Sequence, residues 1–281
     1  MKIGNYTLQP IETGRFALDG GAMFGVVPKP LWEKTNPPDE KNRVDLASRA
    51  LLIIGNGKKI LVDVGNGSKY TDKLTSIYKF DTSRFDLLSS LKKHGLAPAD
   101  ITDVILTHLH FDHAGGSTMM NNGEVVPTFP KAKYYVQREH LRAANNPTER
   151  DRASFFKEDF IPLQFSGQIE YTDGEGEIVP GISVKILNGH TTALQCPVIS
   201  DGTTTLFYCA DLMPTTSHVQ LPWIMAYDLR PLVTLDEKRK ILNHAVEEGW
   251  ILFFEHDPNT EAVRVKRTDK GIVVDSTVNM G

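Results

Sequence analysis

The stretch His108-Leu109-His110-Phe111-Asp112-His113 carries four side chains that can bind a metal ion within six positions. The apolar, β-branched run Thr102–Thr107 precedes it and is typical of a buried strand. The small residues Ala114-Gly115-Gly116 follow it and allow the backbone to approach another group closely. A rigid strand end that leads into such a loop can direct several ligands at one point. The stretch therefore predicts a metal site at the edge of a sheet.

The spacing within this stretch suggests two ions. Side chains two positions apart on an extended segment point the same way, so His108 and His110 can bind one ion together. Asp112 and His113 lie beyond the bend and are expected to face a second ion. Imidazole and carboxylate groups suit zinc, and also iron or manganese. The alternative is a histidine-rich surface loop, which the density of ligands in this context disfavours.

The same stretch matches the HxHxDH motif of the metallo-β-lactamase superfamily, and the chain resembles the dinuclear hydrolases of that superfamily throughout its length. Redox members usually carry Glu where His110 stands, so the resemblance favours hydrolysis. The segments Leu18–Trp32 and Ala210–Thr215 resemble those of YtnP-type quorum-quenching lactonases. The resemblance implies an α/β fold, an αβ/βα four-layer sandwich, in which residues 1–281 form a single hydrolase domain.

Composition narrows the class of protein. Hydrophobic residues make up 40% and charged residues 23% of 281 residues, with a formal net charge of −4, all ordinary for a soluble globular protein. The lack of a long block of one sign disfavours nucleic acid as a partner. No apolar run reaches the ~18 residues of a membrane span, and residues 1–6 lack a signal-peptide core. We therefore expect a cytoplasmic protein without a membrane partner.

Two cysteines, Cys196 and Cys209, stand in apolar, strand-like contexts. Two cysteines do not make a disulfide framework. We expect buried free thiols, with a zinc-ligand role as the alternative.

The N-terminal region combines strands with a long loop. Residues 2–18 are predicted as one or two short strands, and residues 20–47 as an irregular loop of unusual length. Apolar residues in such a loop must be buried against something. The loop could pack on its own core, form a lip over the site, or make a homodimer contact. Because an acyl chain would suit such a lip, Met23, Phe24 and Trp32 are predicted substrate contacts, together with Phe111 of the metal loop.

The rest of the chain alternates strands and helices in two halves. Asn56-Gly57 predicts a hairpin, and Asp201-Gly202 predicts a second one. Predicted strands end just before His108, His190, Asp211 and His256, which is typical of one site on a sheet edge.

Three further polar residues are interpreted from their neighbours in the sequence. Asp63, after a predicted strand, is expected to brace the metal loop, as in related proteins. His140 is predicted to lie on a solvated helix face. Glu255 is predicted to belong to a charged turn beside His256.

The resemblance implies a complete ligand set for two divalent ions. His108, His110 and His190 would bind one ion. Asp112, His113 and His256 would bind the other, and Asp211 would bridge both. Each ion keeps an open position, as catalytic sites do. Zinc is the expected metal, with iron, manganese or cobalt as alternatives.

The implied chemistry is hydrolysis by a water that two ions share and acidify. Asp112 and Asp211 are the implied catalytic residues, and Asp112 would carry a proton to the leaving oxygen. Many acyl-homoserine lactonases of this fold have Tyr three residues after the bridging Asp, whereas Pro214 stands here. His218 and Tyr227 are candidate replacements. The alternatives are a surface-loop histidine and a core tyrosine.

The expected function is hydrolysis of a small-molecule lactone or ester. An organophosphate triesterase and a thioester hydrolase of the same fold are the alternatives among enzymes. The only basic cluster, Val263–Arg267, is interpreted as a strand with solvated charges, which disfavours a glutathione thioesterase. A nuclease would need a basic groove. A metal-free binding protein is disfavoured by the complete ligand set.

Overall fold

Two sheets of seven strands each and a separate two-stranded ribbon form the fold, in a computed structural model that describes residues 1–281. The strands are β1 (Lys2–Ile3), β2 (Tyr6–Asp19), β3 (Arg43–Gly55), β4 (Lys58–Val62), β5 (Asp103–Ile105), β6 (Thr118–Asn121), β7 (Glu124–Pro127), β8 (Lys133–Gln137), β9 (Ile169–Thr172), β10 (Gly176–Val179), β11 (Ile182–Leu187), β12 (Leu194–Ser200), β13 (Thr205–Tyr208), β14 (Ile251–Phe253), β15 (Ala262–Thr268) and β16 (Gly271–Thr277). The helices are α1 (Gly20–Phe24), α2 (Lys29–Trp32), α3 (Asp72–Tyr78), α4 (Leu87–Lys93), α5 (Phe111–Ala114), α6 (Arg138–Asn145), α7 (Lys157–Phe165) and α8 (Pro231–Glu247).

The strand order follows the two halves of the chain. The first sheet runs β1-β2-β3-β4-β5-β8-β9, and the second runs β10 to β16 in sequence order. Strands β6 and β7 form the ribbon. None of the helices combines the length and the apolar character required to cross a membrane. Cys196 and Cys209 are buried free thiols, as predicted.

Alternating residues of the central strands enter different cores. In β3, Leu51 and Ile53 lie in the core shared by the two sheets. Ala50 and Leu52 belong to a second core, which includes residues of α4, α6 and α7. This period of two is expected of a strand that is covered on both faces. Helix α8 packs against the second sheet, and Ile241 on α8 belongs to the same continuous cluster of buried hydrophobic residues. The helix–sheet–sheet–helix order confirms the predicted αβ/βα sandwich.

The predicted Asn-Gly hairpin joins β3 to β4. Asn56 has φ of 50° and Gly57 has φ of 74°, the pair of left-handed conformations that a tight hairpin of this type requires. The second predicted hairpin, around Asp201-Gly202, joins β12 to β13.

The N-terminal region is more regular than the sequence predicts. Strand β2 is one long strand, and β3 already begins at Arg43, which pairs with Asp19. The segment between them contains α1 and α2. The Asp19 carboxylate accepts a hydrogen bond from the Ala22 amide and caps α1. The expectation of an irregular loop over residues 20–47 is therefore wrong, because local capping and strand pairing order both of its ends.

A buried glutamine, Gln195, joins the two sheets beneath the metal loop. Its side-chain amide on β12 donates to the carbonyl oxygens of Leu106 (2.8 Å) and Tyr135 (2.9 Å), which belong to the first sheet's side of the sandwich. Its side-chain oxygen accepts from Gln137 (3.0 Å) and Thr172 (3.2 Å). Every hydrogen-bonding position of this amide is therefore used in the interior.

We expect Gln195→Leu to lower the free energy of unfolding by about 3 kcal/mol, because it leaves several buried polar groups without a partner. Urea unfolding of both proteins measures the change. Gln220→Leu, at an exposed position, should change it by less than about 0.5 kcal/mol. An equally small effect at Gln195 would show that the tie between the sheets contributes little.

Candidate metal centre

The predicted ligands lie at one edge of the sandwich. His108 follows β5 and His190 follows β11. Asp211 follows β13 and His256 follows β14. All four strands end at this edge, so side chains distant in sequence converge as the sequence pattern predicts.

Close backbone packing shapes the loop that carries most of these ligands. A Cβ atom added at Gly115 would lie 1.9 Å from the Asn66 carbonyl oxygen, and one at Gly116 would lie 2.2 Å from the Val64 carbonyl oxygen. Only glycine fits such approaches. Two residues beside other parts of the site, Asp63 (φ 53°) and Ala210 (φ 43°), which directly precedes Asp211, adopt the left-handed conformation. This conformation is uncommon for residues other than glycine and concentrates at functional sites.

The first group of candidate ligands consists of His108, His110, His190 and Asp211, whose ligand atoms all lie within 4.8 Å of one another. His110 Nδ1 lies 3.0 Å from His108 Nε2 and 3.2 Å from His190 Nε2. His190 Nε2 lies 3.0 Å from Asp211 Oδ2. We call this set the first ligand group.

The second ligand group consists of Asp112, His113, His256 and again Asp211, also within 4.8 Å. His256 Nε2 lies 3.2 Å from His113 Nε2. His113 Nε2 lies 3.5 Å from Asp211 Oδ2, and His256 Nε2 lies 3.4 Å from Asp211 Oδ1. Asp211 therefore belongs to both groups, in the position of a bridging ligand.

The outer nitrogens of the histidines show which atoms face the centre. His190 Nδ1 donates to Asp228 Oδ1 (2.8 Å), and His256 Nδ1 donates to the Ala47 carbonyl oxygen (2.9 Å). Because these partners only accept, each Nδ1 carries a proton, and in the neutral ring each Nε2 directs its lone pair at the centre. Metal-binding histidines are oriented in this way.

His113 and His108 follow the same rule. His113 Nδ1 donates to Asp63 Oδ2 (3.0 Å), and His108 Nδ1 lies 3.0 Å from Thr107 Oγ1, whose own proton goes to Asp63. Facing lone pairs repel each other unless a cation, either a proton or a metal ion, lies between them. Asp211 Oδ1 is also buried without a hydrogen-bond partner. The donor set therefore fits two divalent cations.

The charges of the site favour a cation. Burial lowers the pKa of His190, but the carboxylates of Asp211 and Asp228 outweigh burial and raise that pKa to about 10. Burial opposes ionisation of Asp211 as well, but His190 and His113 hold its pKa well below the usual range. Asp211 therefore stays negative, and a positive charge between it and His190 is strongly stabilised.

Two carboxylates, those of Asp63 and Glu255, lie beside His113 of the second ligand group, and the sequence predicts only the first of them. Asp63 accepts from the amide and the hydroxyl of Thr107 (both 2.7 Å), in the bracing position that the sequence predicts. Glu255 is fully buried, and its Oε2 lies 2.9 Å from His113 Nδ1. The prediction that Glu255 belongs to a charged turn is wrong, because the preceding apolar strand carries it into the interior. Asp228, beside His190, has no sequence signal.

His140 also differs from its prediction. It is 1% exposed, and its Nε2 accepts the Leu109 amide hydrogen at 2.8 Å. The expectation of a solvated helix face is wrong, because His140, Leu141 and Ala144 form the buried face of α6. The spacing of Leu141 and Ala144 around His140 is the sequence signal that indicates a buried helix face.

A cavity of about 260 Å³ opens onto both ligand groups. The candidate ligands that line it are His110, Asp112, His190, Asp211 and His256. The apolar residues that line it include Leu18, Met23, Leu46, Phe111, Met225 and Leu229. Its remaining polar lining is Tyr78, Arg150, Asp151, Ser154 and Tyr227. Of the predicted substrate contacts and tyrosines, Met23, Phe111 and Tyr227 therefore reach the cavity.

Three predicted site residues lie behind the cavity wall instead. The ring of Phe24 is fully buried and stacks on Trp32 and on His218, with centroids 5.0 Å away in each case. His218 Nε2 donates to the Met23 carbonyl oxygen (2.9 Å), and its Nδ1 accepts from Thr215 (2.8 Å). The structure corrects the expectation that Phe24, Trp32 and His218 contact substrate, since their mutual packing supports Met23 from behind.

The buried His218 predicts an acid sensitivity of folding. Burial and the neighbouring Lys238 lower the pKa of His218 from 6.5 to about 3. The neutral ring therefore stabilises the fold above pH 6.5, and this contribution is lost as the pH falls below that value. Between pH 7 and pH 5 the loss should be about 2 kcal/mol.

His218→Gln, which does not titrate, should show a loss of stability between these two pH values that is smaller by about 2 kcal/mol. Urea unfolding at pH 7 and pH 5 compares the two proteins. The same pH dependence in both would contradict the assignment of a neutral His218.

Comparison with known proteins agrees with this geometry. The family model of the metallo-beta-lactamase superfamily matches residues 43–256. A probable metal-dependent hydrolase from Staphylococcus aureus has 29% identity and a TM-score of 0.90, over 99% of this chain and 98% of that one. AidC, a dizinc quorum-quenching lactonase, has 22% identity and a TM-score of 0.81, over 99% and 97% of the two chains.

The relatives identified by sequence match a smaller part of the chain. The N-acyl homoserine lactonase AiiA of Bacillus thuringiensis subsp. kurstaki is 27% identical over 179 residues, which are 62% of this chain and 63% of that protein. The chain thus matches less than two thirds of the length of these curated relatives.

The sandwich and its two converging ligand groups define a class of protein that carries candidate metal-binding groups at a sheet edge. The chain belongs to the metallo-beta-lactamase superfamily. The predicted family and fold are thereby confirmed. The narrower likeness to YtnP-type lactonases stays a prediction.

Proposed function

We propose that this protein is a metal-dependent hydrolase that opens lactone rings, using two zinc ions. Acylated homoserine lactones or related aliphatic lactones are the proposed substrates. The observation that carries the proposal is the cavity in which both ligand groups meet an apolar wall. An acylated lactone has the matching pair of features, a polar ring and an apolar tail. The likeness to N-acyl homoserine lactonases supports the same substrate class.

The site residues can perform the steps of ring opening. Bound divalent ions would polarise the carbonyl and supply a water of lowered pKa as the nucleophile. The bond between the carbonyl carbon and the ring oxygen then breaks, and the ring oxygen needs a proton. Burial raises the pKa of the Asp112 carboxyl, which suits it to deliver that proton.

Tyr227 is the proposed hydrogen-bond donor to the substrate carbonyl. A replacement is needed because Pro214 stands where many lactonases of this fold carry a Tyr. Burial raises the pKa of its phenol, so the hydroxyl keeps its proton at neutral pH. A protonated phenol that lines the cavity can donate a hydrogen bond to an oxygen as negative charge develops on it.

A substrate panel tests the proposal. We expect kcat/KM on acylated homoserine lactones to exceed that on esters, thioesters and paraoxon. It should rise with acyl length until the cavity is full, since each buried methylene contributes at most ~0.8 kcal/mol. Faster turnover of paraoxon than of every lactone, without any effect of chain length, would favour an organophosphate triesterase.

The wall residue Met23 should determine part of the chain-length effect. Met23→Ala should raise KM for long-chain lactones about fivefold, because it removes apolar contact surface, and should leave metal content unchanged. Val26→Ala, on the same segment but 94% exposed, is the matched control. Equal KM values for both variants and the wild type would show that the acyl chain lies elsewhere.

A further inference from the structure

One buried histidine outside both ligand groups connects two loops that supply ligands. His140 lies on the inner face of α6. Its Nε2 accepts from the Leu109 amide at 2.8 Å, and its Nδ1 donates to the Thr192 carbonyl oxygen at 2.7 Å. An amide only donates and a carbonyl only accepts, so the two partners assign the single proton of the ring to Nδ1.

The two contacts are placed where the first ligand group is assembled. Leu109 lies between His108 and His110, and Thr192 lies two positions after His190. These loops follow β5 and β11, which belong to different sheets. A rigid ring that binds both backbones therefore sets the separation of His190 from the other two histidines.

The second ligand group has supports of its own. Asp63 binds Nδ1 of His113, and the Ala47 carbonyl oxygen binds Nδ1 of His256. Neither support involves His140. A change at His140 should therefore affect the two metal sites unequally.

We infer that His140 is a positioning residue that builds the first metal site by holding the His108–His110 loop against the His190 loop. This inference rests on the proposed metal centre. His140 acts through the backbone of two neighbouring loops, and not through a contact with the ion or the substrate.

Zinc retention tests the inference. Wild type, His140→Leu, His140→Gln and the exposed-histidine control His94→Leu are dialysed against rising concentrations of a zinc chelator, and bound zinc is counted by elemental analysis. His140→Leu should lose one ion at a chelator concentration at least tenfold lower than wild type and keep the other, as loss of a partner behind a ligand predicts. His140→Gln keeps an acceptor for Leu109 and should lie within about threefold of wild type. His94→Leu should match wild type.

Several results would overturn the inference. One is a folded His140→Leu protein that keeps both ions as wild type does, and another is equal weakening of both ions. Should His140→Leu not fold, hydrogen exchange of zinc-free wild type decides. The Leu109 amide should then exchange at least 100-fold more slowly than exposed loop amides, and exchange at their rate would overturn the role of His140. Wild type that binds no zinc would overturn the proposed function as well, so the two failures are distinguishable.

Discussion

Asp211→Ala should release both metal ions and lower kcat/KM on lactones by on the order of 10³-fold or more. Asp211 is the one residue shared by the two ligand groups. Its Oδ2 lies 3.0 Å from His190 Nε2, and its Oδ1 lies 3.4 Å from His256 Nε2. Removal of its carboxylate therefore takes a ligand and a negative charge from both sites at once. Elemental analysis and initial rates measure the two effects.

Two variants calibrate this result. His110→Ala affects the first ligand group alone, so it should lose one ion and most of the activity. Asp275→Ala, at an exposed carboxylate on β16, should lose neither. An Asp211→Ala protein that binds two ions, or that turns over lactones at the wild-type rate, would contradict the bridging assignment.

Tyr227→Phe should lower kcat by roughly 10²-fold while metal content stays at the wild-type value, because one donor to a developing oxyanion is typically worth that much. The substitution removes a single hydroxyl and keeps the ring that lines the cavity. KM should change little, since the hydrogen bond strengthens mainly in the transition state. Steady-state kinetics on one lactone, with metal analysis of the same sample, separates these quantities.

Tyr78 provides the internal comparison, because its phenol lines the same cavity. Burial and then the charge of Asp112 raise its pKa, so this hydroxyl is protonated too. We expect Tyr78→Phe to keep kcat within about threefold of wild type. The reverse pattern, a large loss at Tyr78 and none at Tyr227, would move the donor role to Tyr78.

Local sequence patterns were sufficient to predict the frame of the site. The His108–His113 motif and the strands that end before His190, Asp211 and His256 indicated one convergent centre. Such patterns work because a buried strand is apolar over its whole length and because ligands need fixed spacing. The Asn56-Gly57 turn likewise follows from a conformation that few other residues adopt.

Residues whose role depends on distant parts of the chain could not be assigned in this way. Glu255 and Asp228 are polar residues in short loops, and only the packing of other elements buries them beside His113 and His190. The prediction for His140 is wrong because charged neighbours on α6 obscure its apolar face in the sequence. For long-range contacts of this kind, local composition carries no information about the partner.

The N-terminal segment shows an intermediate case. The sequence correctly indicated that Phe24 and Trp32 must be buried, because large aromatic side chains are rarely left in solvent. It could not indicate what buries them. In the structure they pack with Trp223 and His218, and Met23 alone of these apolar residues lines the cavity.

Elemental analysis of the purified protein, combined with the rate of acyl-homoserine lactone hydrolysis by the same sample, tests whether this protein is a metal-dependent lactonase. We expect about two equivalents of divalent metal per chain, with metal and activity lost together on chelation and restored together by zinc. Fully active protein with a reproducible metal content near zero would contradict it.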